Sequence, residues 1–372
     1  MLITAIVFLA VLSVLVLIHE FGHFFVAKKL GIKVEEFGFG LPPRVFAIKK
    51  GETEYSINLL PIGGFVKLYG EDEAGGGKLK VQSEKLKVKD ANRAFFARPP
   101  WQRILVVIAG VTMNFLLAIG IISYLFSAQG VPVPGDKVIV SDILKNSPAQ
   151  KAGLKKGDRI VFINGTKISK SEDLINITKK YLGEKLTIKI IPKGEKTQKS
   201  VEVTPRKIYP KNEGPMGVVI SQSVEVKKYP WYQAPFSGTL EALKMSWLMV
   251  SGIVLILWNL ITSGVVPQDI AGPVGIAQIT GQFVQIGPLA VLSLVSLLSL
   301  NLAVLNILPI PALDGGRLFF IVIEVLTGRK VNPKYESYAH MIGMALLLAL
   351  IALITFHDIT RIFTGKPIIP TP

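Results

Sequence analysis

The chain has 372 residues, half of them hydrophobic, and a mean hydropathy of +0.47; an ordinary soluble domain is not this apolar over its whole length. Charged residues make up 18% and leave a net charge of +16. Because the basic residues flank long apolar runs, that charge points to anionic lipid headgroups and away from nucleic acid. There is no cysteine, which excludes disulfides and thiolate metal ligands and leaves four histidines, His19, His23, His340 and His357, with Asp and Glu as the metal donors available.

In chain order, residues 1–27 read as a first transmembrane helix. Leu2 to Ile18 contains nothing more polar than Thr4 and Ser13, and the run to Ala27 is long enough for a hydrocarbon core of about 30 Å. It lacks a basic leading segment and a small-residue cleavage site, so it reads as a span and not a signal peptide. Lys28 and Lys29 follow it and put the N-terminus outside. Residues 28–103 form a cytoplasmic-side loop with a membrane-associated β-hairpin. Glu54 to Leu59 alternates in strand fashion, Pro61, Gly63 and Gly64 mark a turn, and Phe65 to Tyr69 returns. Glu71 to Lys89 reads as a polar loop. Residues 104–127 are a second span, with Trp101 and Arg103 as interfacial anchors.

Residues 132–228 look water-exposed. Ser147-Pro148 is a helix start, Gly153 can close that helix, and Asn164-Gly165 is a strong hairpin signal. The stretch SPAQKAGLKKGDRIVFING, 147–165, resembles the PDZ domains of bacterial proteases, with Met216, Gly217 and Val218 where the peptide-binding strand would lie. Such domains take up peptide C-termini by adding a strand to a sheet edge. Residues 229–288 are a membrane-associated helix and loop, 289–316 a third span, 317–337 a cytoplasmic-side segment, 338–358 a fourth span and 359–372 a tail.

His19-Glu20-Phe21-Gly22-His23 is an H-E-x-x-H motif. On a helix, positions i and i+4 share a face, so both imidazoles reach one metal ion. Glu20 stands beside it, able to take a proton from water and pass it to a leaving amine. Ionisable groups inside a span cost about 2.5–3.5 kcal/mol each, and a metal compensates them. A catalytic zinc needs a third protein ligand and an open position. His340 sits in a loop-like polar stretch and His357 at the far end of the last span. Asp314 is the better third ligand, because Pro309 and Pro311 break the helix ahead of it at membrane depth. For Asp314 to reach the histidines, the segment 239–262 must not cross fully. The expected topology is therefore four full spans, one partially inserted helix, both termini outside, and Gln268 outside.

These residues resemble the site-2 protease family of intramembrane zinc proteases, nearest to bacterial regulator-of-sigma-E proteases. The likeness runs through HEFGH, FGFG with LPPRVF, PIGGFVKLYGEDE, PPWQRILVVIAGVTMNF, AGPVGI and NLAVLNILPIPALDGG. It implies a multi-pass α-helical membrane protein, of about four transmembrane helices plus a partially inserted helix and a β-like loop, with one inserted PDZ domain. It implies one zinc ion on His19, His23 and Asp314, with Glu20 as the catalytic acid/base. It implies that Asn306, Pro309 and Pro311 position an unwound substrate helix, that Asn114 faces the site, and that the β-like loop pairs with substrate, for which Tyr55, Ile57 and Leu59 are one docking edge and Phe65 to Tyr69 another. The expected substrates are single-pass membrane proteins such as anti-sigma factors or signal-peptide remnants, and the expected location is the cell inner membrane. Some relatives carry two PDZ domains; this chain has room for one. Two rivals are an ion transporter, which would show repeat symmetry between its halves, and an idle scaffold, which has no need of Glu20.

Overall fold

The structure, a computed structural model, describes residues 2–71, 91–210, 213–263 and 271–364. The chain forms two compact units, Ala128–Tyr229 and the remainder on either side of it.

In the larger unit the first helix, α1 (Leu2–Lys29), is apolar along almost its whole length and ends on Lys28 and Lys29, cations that suit the negative end of its dipole. Strands β1 (Val34–Lys50) and β2 (Thr53–Leu68) follow. Both are bent, and their pairs form four adjacent runs. Residues 64–68 lie against 34–39 (Val34 with Leu68, Phe39 with Gly64). Residues 34–39 also lie against 54–57, and 55–58 against 44–48. The turn joining the two strands is pinned at Glu52, which pairs with Arg93 at 2.7 Å and Lys28 at 2.9 Å; Arg93 first, then Lys28, pull its carboxyl down to about 2. Helix α2 (Pro100–Ala128) opens with a proline at its first position, where a missing N–H costs nothing. It runs antiparallel to α1 in close contact. A Cβ on Gly22 would strike the Ala109 carbonyl, so glycine is what lets the two backbones approach.

The inserted unit holds β3 (Val131–Ile143), α3 (Pro148–Lys151), β4 (Arg159–Ile163), β5 (Thr166–Lys167), α4 (Ser171–Lys180), β6 (Leu186–Ile191), β7 (Lys199–Val203) and β8 (Val218–Lys227). Sheet order is β7-β6-β4-β3-β8, with β5 paired to β4. Alternation turns Val138 and Val140 of β3 and Leu186 and Ile188 of β6 inward, and an irregularity in β4 brings in both Ile160 and Ile163; all six are fully buried. Ser147 caps α3, its Oγ accepting from the Gln150 N–H at 3.2 Å. Asn164 and Gly165, at φ 45° and 82°, make the β4–β5 turn in the conformation their residue types favour. The result is the PDZ-like domain foreseen from the sequence, with β8 at one edge of the sheet.

The chain then forms α5 (Ala234–Ser263), α6 (Pro273–Ile286), α7 (Pro288–Ile307), α8 (Asp314–Thr327) and α9 (Pro333–Phe363). Among the described residues, five helices can cross a membrane by length and composition: α1, α2, 234–256 of α5, α7, and 334–363 of α9. With 14 residues, α6 spans about 21 Å and is too short to do so. Its Gly281 sits against Thr4 at the start of α1. Asp358 of α9 accepts from the Gly272 and Gly275 N–H groups at 2.9 and 2.8 Å and so caps α6. Leu300 of α7 packs on Ala118 and Ile122 of α2 and Ala242 of α5. The ion pair of Arg103 with Glu324, at 2.6 Å and nearly buried, ties α2 to α8.

Three sequence expectations change here. The strands expected at 54–59 and 65–69 are two parts of the bent strand β2 and pair with β1 instead of with each other. His340 is not in a loop: Asn332 caps and Pro333 opens α9, so the polar stretch before the apolar run is the first turns of that helix. The third long helix ends at Ile307, and Asp314 begins a separate helix, because Pro309 and Pro311 cannot continue the ladder. Gln268 and the expected loop residues 72–89 lie outside the described residues.

Candidate metal and peptidase site

His19 and His23 stand one turn apart on α1, both buried, with ring centroids 4.8 Å apart. Their Nε2 atoms are 3.2 Å apart. Asp314 Oδ2 lies 2.9 Å from the first and 3.3 Å from the second. Helix α2 forms the back wall. The His23 Nδ1 lies 2.8 Å from the Val106 carbonyl, which can only accept, so Nδ1 carries the proton and Nε2 presents a lone pair. Asn114, fully buried, has its side-chain amide 3.5 Å from His19 Nδ1. A Cβ on Gly110 would overlap the His23 ring.

Asp314 arrives on a turn that the sequence enforces. Pro309 and Pro311 lack N–H groups, the Ile310 N–H folds back to the Leu308 carbonyl at 2.6 Å, and Ala312 takes φ 82°. Gly315 and Gly316 have no room for a side chain, the second because Ile310 O would lie 2.6 Å from its Cβ.

Glu20, between the histidines in sequence, has its Oε2 accepting the Val66 N–H at 3.1 Å. The run 64–68 therefore passes beside the site, with its edge away from 34–39 turned to α1. Ser13 Oγ donates to the Pro61 carbonyl at 2.8 Å just ahead of it. A cavity of about 360 Å³ opens here, walled in part by Glu20, His23, Val66, Asp314, Arg317 and His340. Arg317 pairs with Glu71 at its rim.

The other expected site residues distribute as follows. Asn306 is in the last turn of α7, and Pro309 and Pro311 form the turn itself. Tyr55 and Ile57 lie in a run paired on both sides, so they offer no open edge; of the two edges considered, Phe65 to Leu68 is the one beside Glu20. Leu59 is exposed on the outer part of β2. In the inserted domain Met216 is buried in the core, Gly217 takes φ 69°, and Val218 begins the edge strand β8. The sequence reading missed the Val66 N–H, a backbone donor that residue types do not reveal. It also set aside His340, whose place on a helix was the missing signal.

The family model that describes peptidase family M50 matches residues 7–350. The chain belongs to that family, the site-2 proteases. Among its relatives, the zinc metalloprotease RasP of Bacillus licheniformis is 31% identical, the match covering 97% of this chain and 99% of that one. The regulator of sigma-W protease RasP of Bacillus subtilis is 30% identical, over 97% and 99%. A solved structure, the PDZ domain of an SdrC-like protein from Listeria monocytogenes, matches 24% of this chain and 93% of its own at 25% identity, with a TM-score of 0.21. This M50 peptidase is a multi-pass membrane enzyme, and His19, His23 and Asp314 form a group able to hold a metal ion, with one ligand atom from each within 4.8 Å of the others.

The donor set fits a divalent metal ion of the kind that imidazole and carboxylate hold, zinc among them. Donors about 2.0–2.2 Å from a tetrahedral ion lie about 3.3–3.6 Å from one another, and the separations of 2.9, 3.2 and 3.3 Å here are close enough for small side-chain shifts to meet them. Three acceptor atoms pressed together repel unless a cation or proton lies among them.

Proposed function

We propose that this M50 peptidase is an endopeptidase that uses one zinc ion, held by His19, His23 and Asp314, to cut single-pass membrane proteins within or beside their apolar segments. The observation that carries the reading is the meeting at Glu20 of the three-residue donor group and the strand run 64–68.

A transmembrane helix hides its peptide bonds in its own hydrogen bonds, so a cut requires the segment to unwind. An open strand edge can take up the backbone groups that unwinding frees. The run 64–68 lies beside Glu20, and an extended peptide laid along it passes the donor group. When bound, zinc supplies a Lewis acid that polarises the scissile carbonyl and makes water acidic enough to ionise near neutral pH, about 7. Glu20 takes the proton from the attacking water and returns it to the leaving nitrogen. The Val66 N–H orients the Glu20 carboxylate for this, and Val106 and Asn114 fix the imidazoles from behind. The PDZ-like domain presents β8 for a peptide C-terminus, and the regulator of sigma-W name of a relative supports anti-sigma factors as one substrate class. Lipid surrounds the spans, and the enzyme belongs in the inner membrane.

The packing of the larger unit supports four full crossings. Helices α1 and α7 run the same way, since α7 begins next to α6 at the Thr4 end and leads to Asp314. Helices α2 and α9 run back. Helix α5 starts with Gly238 against Ser123 near the end of α2, and α6 begins at the same end, at Asp358. From Ser263 to Gly272 the chain reaches at most about 32 Å, whereas Gly238 to Ser263 measures about 37 Å along a helix. A partly inserted, inclined α5 satisfies both.

The test is cleavage of a tagged single-pass protein by the enzyme reconstituted in liposomes, with the cut mapped by mass spectrometry. A cut within the apolar segment or at its border is expected. Cuts confined to the water-exposed part of the substrate would overturn the reading.

A further inference from the structure

The turn that delivers Asp314 is held from outside by α9. Ala312 occupies the left-handed region at φ 82°, where a Cβ is disfavoured and which alanine does not take up unaided. Its N–H donates to Nδ1 of His340 at 2.9 Å. One turn further along α9, Gly343 lies against Pro311: a Cβ there would fall 2.6 Å from the Pro311 carbonyl oxygen. The imidazole is fixed on its other side by the Phe320 ring of α8, with centroids 5.8 Å apart. Residues i and i+3 share a helix face, so one face of α9 meets the turn through a hydrogen bond and a close backbone contact. His340 is nearly buried, with a side-chain exposure of 12%, and lines the same cavity as Glu20 and Asp314.

From this geometry we infer that His340 is a positioning residue for the metal site: its Nδ1 holds Ala312 in the left-handed conformation, and that conformation places the Asp314 carboxylate between His19 and His23. The inference rests on reading these three residues as the zinc ligands. It makes His340 a supporting partner reached through the backbone, two residues ahead of the carboxylate, and not a ligand. Supporting partners of metal ligands typically contribute about ten- to a hundredfold in metal affinity.

The experiment measures zinc affinity of the full-length protein in detergent by competition with a chromophoric chelator, with no substrate present. His340→Leu removes the acceptor, His340→Asn keeps an acceptor oxygen near the Nδ1 position, and Ala312→Gly removes the cost of the left-handed turn. We expect His340→Leu to bind zinc about ten- to a hundredfold more weakly than wild type, His340→Asn to stay close to wild type, and Ala312→Gly combined with His340→Leu to recover most of the loss. Wild-type affinity in His340→Leu would overturn the inference. So would equal loss in the Leu and Asn variants, or a double variant as weak as His340→Leu alone. Absence of zinc binding by wild type would instead overturn the ligand assignment on which the inference stands.

Discussion

At the level of single residues, one glycine shapes the site as much as its donors do. Gly110 faces the imidazoles from α2, and a methyl group there would overlap the His23 ring. Ala at this position is expected to push His23 off its Val106 contact and abolish zinc retention, while the protein still folds with some loss of stability, on the order of 1–3 kcal/mol for overpacking. Metal analysis after dialysis, with a thermal unfolding curve, checks it; full zinc occupancy in Gly110→Ala would show that the rings are not confined as described. The histidines, Glu20 and Asp314 could be picked out from residue type and spacing, since ionisable side chains in an apolar run need a reason to be there. Gly110 could not be, because its value lies in what α2 leaves room for on α1, a contact between residues far apart in sequence. His340 was misjudged for a related reason. Its polar neighbours suggested a loop, and only the helix starting at Pro333 turns the ring toward Ala312.

Among the elements, the helices were legible because an apolar run of sufficient length has few other fates in a bilayer, although the third long helix proved to end at Ile307, with the third donor opening α8. The β-rich loop was less so. Alternation indicated strands at 54–59 and 65–69, but these are two parts of the one bent strand β2 and pair with β1, not with each other; the order of the four runs depends on pairing that the pattern does not encode. That order decides which run lacks a second strand neighbour: Tyr55 and Ile57 have one on each side, while 64–68 has only 34–39 and turns its other edge to Glu20. Pro at an edge position that donates outside the ladder is structurally tolerated, so Val66→Pro should fold and keep its metal yet lose the Glu20 contact and part of the docking edge. A fall in kcat/KM of about tenfold or more is expected from losing one hydrogen bond to a charged group. An unchanged rate would remove the run from the mechanism.

For the whole molecule, the arrangement solves a problem of access. The donors lie where α1, α2 and the α7–α8 turn converge, and a cavity with polar walls reaches them. The proposed count of four full crossings rests on the same packing. With cysteine introduced at Ser263 of this cysteine-free chain, a membrane-impermeant maleimide should fail to label it from the cytoplasmic side of inverted vesicles; strong labelling there would mean that α5 crosses completely. The inserted domain folds around its own core, and its sequence signals, the capped helix at Ser147 and the turn at Asn164-Gly165, are local ones, which is why its outline was readable in advance.

The central claim is that Glu20, poised between the donor group and the strand edge, carries the proton in peptide cleavage. The most direct measurement compares wild type with Glu20→Gln, purified in detergent with matched zinc content, on a tagged single-pass membrane substrate. The wild-type enzyme should cut the substrate and be silenced by a zinc chelator, and Glu20→Gln should be slower by about 10²- to 10⁴-fold. Equal, chelator-resistant cleavage by both proteins would contradict the account.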